Sequence, residues 1–395
     1  MHHGEVRTID EDERRARLGR RHRLAPGTAA DDPVIAARAV VAVHATDAST
    51  VYLSLRARLR KAEPSDIERS LHDERALVRV LAMRRTVFVI PTDDLPVVHA
   101  AATTGLIAGE RRRAEQLVAT LGKSSRWLRS VEAKTAAAIE ARGEALASEL
   151  GEDVPELKLQ VTVGEGKTWA GTQSLSTRVL WLLANEGRIV RDRPRGSWTS
   201  SQHRWAPMDR WLPEGMPAVE PAAARASLVQ RWLAAYGPGT TADIAWWTGW
   251  GARVVQAALA AAGAVEVALS GGATGWLLPD DGERITKPKP WVALLPALDA
   301  TAMGWKDRSW FLDPELAPPL FDRSGNIGPT IWCDGRVVGG WAHRKSGEVV
   351  THLLTDVGAT RARAITAEAA RVEAFIGPAR VTPRFRTPLE RELAT

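Results

Sequence analysis

The run from Arg191 to Trp205 gathers more chemically capable side chains than any other stretch of this chain. It holds Arg191, Arg193, Arg195 and Arg204, the indoles of Trp198 and Trp205, the amide of Gln202, and one acid, Asp192. Guanidinium forks are bidentate donors to phosphate, and a flat aromatic can lie along a sugar edge or a base step. An ordinary solvated hairpin has a similar composition, so the run alone leaves both readings open. Competing chemistry is scarce. The chain has no Walker loop, no His-Glu-x-x-His and no Cys-His metal spacing. Gly271-Gly-Ala-Thr-Gly275 is glycine-rich but opens no helix, so it is not a phosphate cradle. The lone Cys333 excludes an internal disulfide and a cysteine-based zinc site, and no metal or cofactor is expected.

The elements around this run must present it. An apolar helix-like stretch, Ser176 to Glu186, leads through Gly187 into strand, basic turn and strand, which is the layout of a winged helix. The same order recurs twice. Asp32-Pro33 starts a helix over 33–43. A second helix is expected over Thr50 to Arg60, capped by Asp47 or Ser49, and a third begins at Pro64 and runs through Ile67 and Leu71, its pattern continuing over Leu77 to Met83. A strand at Arg85 to Pro91 follows. Further on come helices over Ala223 to Tyr236, Ala242 to Gly249 (capped by Thr241) and Ala252 to Ala262, then a hairpin from Val265. From Pro290 the pattern changes to short strands split by Asp-Gly and Ser-Gly turns, closed by an amphipathic helix over 361–376.

These readings give an α+β chain of tandem winged-helix (helix-turn-helix) units plus a small β module. The expected divisions are a charged lead-in (1–22), winged helix 1 (23–105), a helical connector (106–164), winged helix 2 with the basic wing (165–220), winged helix 3 (221–280), the β module (281–357), and a C-terminal helix and tail (358–395). Length and a 45% hydrophobic content fit a folded protein with a sizeable core. The charged N-terminus has no apolar signal region, and no apolar run is long enough to span a bilayer. His2 and His3 are too few for a tag. A cytoplasmic monomer is expected. The net charge of +6 agrees with a polyanionic partner, although an Arg-rich composition can also follow genomic base content. Trp246, Trp247 and Trp250 fall at helical spacing and read as core.

Four short pieces, in this order and spacing, resemble a known family: Met83-Arg-Arg-Thr86 before a strand, Gly196-Ser-Trp198 with Arg204-Trp205, Leu294-Leu-Pro-Ala-Leu-Asp299, and Asp334-Gly-Arg-Val-Val-Gly-Gly-Trp341. The family is the bacterial winged-helix DNA glycosylases of the AlkZ and YcaQ type, and the resemblance covers roughly residues 20–380. It implies tandem winged helices and a β-barrel-like module forming a C-shaped basic channel around duplex DNA. It also implies excision of bulky or crosslinking N7-alkylpurines, in DNA repair or in resistance to a genotoxin.

The family's Gln-apolar-Gln or Gln-apolar-Asp triplet aligns with His44-Ala45-Thr46, so His44 stands for the first Gln and Thr46 for the last residue. Phe88 stands where the family tends to have a His. Two polar side chains at i and i+2 of an extended turn point to one side and can hold one water, and a neutral His could also take its proton. The resemblance thus implies catalytic roles for His44, Thr46 and Asp47. On their own residue types, Asp47 reads as a helix N-cap and His44 as a hydrogen-bonded buried histidine closing the turn. Arg58, Arg84 and Arg85 join Arg191, Arg193, Arg195, Trp198, Gln202 and Arg204 as candidate DNA contacts. His343-Arg-Lys345 is a weaker phosphate candidate. Lys61 is the nearest lysine, so the expected reaction is monofunctional hydrolysis without a Schiff base. A non-catalytic DNA-binding protein is the alternative, since winged helices and a basic face would serve it equally.

Overall fold

The computed structural model describes residues 7–164, 166 and 170–395, which leaves His2 and His3 outside. Asp32 caps the helix Pro33–Arg38 by accepting from the Val34 and Ile35 amides. A two-residue strand, Val43–His44, leads to the helix Ala48–Arg56, capped by Asp47. The helix Pro64–Glu68 runs on into a wider turn, Arg69–Asp73. Leu77–Leu81, expected to continue the third helix, is instead a strand that pairs antiparallel with Val87–Pro91, and Val87–Pro91 lies between it and Val43–His44. His44 is therefore held in register opposite Phe88. Arg84 and Arg85, expected beside or within a strand, instead form the turn, with φ of +52° and +58°. That left-handed region is costly for residues with a Cβ.

Two long helices, Thr104–Ala119 and Ser125–Arg142, and the helix Leu175–Asn185 share a separate apolar core with Leu128, Ile139, Leu157, Leu180 and Trp205. Gly187, at φ +71°, lets the chain turn into the hairpin Ile189–Pro194 and His203–Pro207.

Helices Pro221–Tyr236, Thr241–Thr248 and Ala252–Ala261 come next, then the hairpin Val265–Leu269 and Thr274–Leu277. Thr240 is the cap of the middle helix, one residue before the expected Thr241, because Thr240 and Asp243 cap each other reciprocally. The N-terminal stretch is more than a charged lead-in. Thr8–Ile9 adds a parallel strand to this hairpin. The helix Glu11–Arg21 buries Arg17 against Glu13 and Asp281, both at 2.8 Å.

Strands Val292–Leu295, Thr330–Cys333, Arg336–His343 and Val349–Leu353 form an antiparallel meander, on which the helix Gly358–Ile376 packs. Among the described residues its first and last strands do not pair, so the sheet is open rather than the expected barrel.

Asp299 ties this part to the first. Arg58 and Asp299 are both without exposure and pair at 2.8 Å. Arg58 also donates to the Ser54 carbonyl and the Thr301 hydroxyl, at 2.6 and 2.8 Å. Arg58 is thus a core cation with every strong contact inside the protein, and not a DNA contact. The helix ends at Arg56, so helical periodicity does not govern where Arg58 points. No helix of the described residues is long and apolar enough to cross a membrane.

Candidate functional site

The turn at His44–Thr46 opens on a cavity of about 940 Å³. Its wall contains His44, Thr46, Arg85, Arg191, Arg195 and Gln202 from the sequence candidates. It also contains Arg79, Trp181, His203, Asn326 and Arg384, which were not singled out as site residues. Arg79 did leave a signal: it is the one charge in the apolar strand Leu77–Leu81. His203 lay inside the basic run, and Arg384, in the Arg-rich tail, gave no local signal.

His44 is 6% exposed and sits edge-on to Phe88 at 5.3 Å. Its Nδ1 is buried with no protein partner, so it is not the hydrogen-bonded histidine that its residue type suggests. A buried polar atom left in that state costs about 1 to 3 kcal/mol and calls for an explanation. Burial, with the charge of Arg84 behind it, pushes the His44 pKa down to about 3, so the ring is neutral at pH 7. Thr46 is partly exposed in the same wall. Asp47 is not in it. Its Oδ1 accepts from the Ser49 amide and hydroxyl, which is the cap, and its Oδ2 accepts from the Arg384 backbone amide at 2.9 Å. Asp47 therefore pins the tail segment, with Arg384 and Phe385, across the cavity.

The second histidine in the wall is held more firmly. His203 Nδ1–H donates to the Asp192 carbonyl at 3.0 Å, which leaves Nε2 as an acceptor. Burial first, then Arg79, brings the His203 pKa down to about 2.

The remaining candidates lie elsewhere or are already paired. Trp198, expected as an exposed aromatic edge, is 7% exposed and packs on Tyr52 at 4.9 Å and Phe375 at 6.0 Å. It fastens the hairpin to the first core, so its surface is spent on packing. Arg84 lies over the Trp246 ring at 4.1 Å, with Arg308 over the same ring at 4.9 Å. Trp246, expected as core, is thus half-buried against two cations, while Trp247 is core as expected. Arg193 pairs with Asp73 at 2.7 Å, and Arg204 with Glu144 and Glu149 at 3.4 and 3.3 Å. Arg85 pairs with the buried Glu110 at 2.6 Å. Among the described residues Arg79, Arg191, Arg195 and Arg384 have no ion pair. His343 is buried between the Gly347 carbonyl and the Val381 amide, a structural position.

A family model described as DNA glycosylase AlkZ-like matches residues 37–375. The fold is similar to that of the Streptomyces sahachiroi DNA glycosylase AlkZ, with a TM-score of 0.71 and 20% sequence identity, over 95% of this chain and 99% of that one. At that identity the likeness is one of fold. No curated protein matches the sequence.

Proposed function

The chain belongs to the AlkZ-like DNA glycosylase family, and from that premise we propose that it hydrolyses the N-glycosidic bond of bulky or crosslinking N7-alkylpurines in duplex DNA. The observation that carries this reading is the placement of His44 and Thr46 together in the wall of the roughly 940 Å³ cavity. Water attacks C1′, the bond to N9 breaks, and its electron pair goes to the purine. An N7-alkylated purine is already cationic and leaves neutral, so the leaving group needs no general acid. The protein's task is to hold the water and to supply the electrostatics. A neutral His44 accepts a hydrogen bond from that water and Thr46 shares it, while the proton that the water sheds on attack passes to bulk solvent.

The same proposal reads the architecture as three winged-helix units. In the first, the short strand Val43–His44 joins the hairpin beside Val87–Pro91, a sheet order that supports the reading and places the triplet at the sheet's edge. Duplex DNA is the proposed partner, gripped chiefly through phosphates by Arg195 and its neighbours.

The test is to incubate the purified protein with an N7-alkylated duplex and look for abasic sites by strand cleavage in alkali. Their appearance supports the activity. Salt-sensitive duplex binding without abasic sites would leave a non-catalytic DNA-binding protein instead.

A further inference from the structure

The cavity wall contains five arginines, Arg79, Arg85, Arg191, Arg195 and Arg384, and no carboxylate. Only Arg85 is neutralised, by Glu110. Arg79 is 5% exposed, yet its one protein acceptor is the Ala45 carbonyl at 3.3 Å, a weak contact for a guanidinium. Arg191 lies over the Trp205 ring at 5.0 Å, which orients it without neutralising it. Burial lowers both to about 10, so both stay charged at pH 7. Arg384 is brought to the same wall by the tie from its backbone to Asp47.

Like charges directed into one enclosed space, one of them almost fully buried, cost stability unless something negative enters. The cost falls in the place where a cationic purine and an oxocarbenium-like sugar would have to sit. An acid-free wall of cations would repel both. We propose that Arg79, Arg191 and Arg384 form a seat for one phosphate group beside His44 and Thr46, and that in the reaction proposed above this phosphate belongs to the DNA strand. Guanidinium forks on three separate elements can surround the oxygens of a phosphodiester, which then supplies the negative charge that the protein lacks there. The strand itself becomes the counter-ion of the developing sugar cation. The source of the phosphate rests on the glycosylase reading, whereas the seat does not.

The test has two arms. The first compares melting temperatures of the full chain in inorganic phosphate and in chloride at matched ionic strength. Phosphate is expected to raise the wild type by roughly 1 to 3 °C. Arg79→Gln and Arg191→Gln should lose that increment while melting no lower than wild type in chloride, because removing an unpaired buried charge relieves the fold. The second arm measures affinity for a duplex with one abasic-site analogue. Each variant should bind about tenfold more weakly, with a shallower salt slope. Arg384 is exposed, so Arg384→Gln keeps the fold and reports both readouts should Arg79→Gln fail to fold. No phosphate increment in the wild type, or an increment that survives in the variants, overturns the seat. An increment lost in the variants with unchanged duplex affinity overturns the DNA strand as its source and leaves free phosphate. Absent excision with the increment intact rejects the activity and leaves the seat standing.

Discussion

His44 is the residue on which the proposed chemistry turns, and its environment separates two behaviours. A histidine kept for packing contributes hydrogen bonds that are lost on removal. His44 has an orphaned Nδ1, so truncation removes an unsatisfied atom along with the ring's contacts to Phe88. His44→Ala should therefore lower single-turnover excision by two to three orders of magnitude, about 3 to 4 kcal/mol of barrier, with duplex affinity nearly unchanged. Thr46→Ala should act in the same direction by about tenfold, because a hydroxyl that shares a water is partly replaceable. Wild-type excision by His44→Ala combined with a large fall in melting temperature would make the ring a packing residue. Sequence reasoning reached His44 and Thr46 through the family triplet. It could not reach their surroundings. Arg384 approaches from a tail more than three hundred residues away in sequence, held by a backbone contact to Asp47 that no local pattern encodes. Asp47 illustrates how two readings can coexist in one side chain: one oxygen caps the helix and the other holds the tail.

At the scale of elements, periodicity and capping signals were legible and the destinations of individual charges were not. Asp32-Pro33 announced a helix, and alternating apolar runs announced the meander strands, because those signals are local. Arg58 looked like a surface cation because its partner, Asp299, is remote in sequence. Trp198 looked like a wing edge for the same reason, since Tyr52 and Phe375 come from two other elements. Burial alone would push the Asp299 carboxyl up, but Arg58, the Ser54 hydroxyl and the Thr301 amide outweigh it and hold the pKa below the ordinary carboxylate range. Asp299→Ala leaves Arg58 buried without its partner, and should cost about 3 to 5 kcal/mol in denaturant unfolding. A loss under about 1 kcal/mol would mean that water reaches the pair. The hairpin should behave in the opposite way. Arg195 is exposed and Arg193 is only surface-paired, so changing both to Ala should spare stability and weaken duplex binding, with most of the loss from Arg195. Unchanged affinity in that double variant would move the DNA surface off the hairpin.

Across the whole molecule, histidines with lowered pKa shape the response to acid; His99 and His343 are lowered by burial, and three others are lowered strongly. His22 is pushed to about 3 by burial and then by Arg58, His44 to about 3, and His203 to about 2. In the unfolded chain each returns to about 6.5. The folded state therefore binds fewer protons than the unfolded state everywhere between those values. The depressed folded pKa contributes stability that is fully present above about 6.5 and is lost as pH falls toward the folded values. Each ring costs up to about 1.4 kcal/mol per pH unit, or roughly 2 kcal/mol at pH 5. The three lie in different places: His22 beside the Arg58–Asp299 pair, His44 on the short strand, His203 on the basic hairpin. His22 is remote from the other two and should add to them, whereas His44 and His203 face the same cavity and should couple. Melting temperature is expected to be flat from about pH 8 to 7 and to fall steeply below about 6.5. His203→Gln keeps a polar group of similar reach without the titration, and should make the acid slope shallower without abolishing it. A melting temperature that stays level down to pH 5 in the wild type would show that these rings take up protons without opening the fold, and that burial does not hold their folded pKa values down.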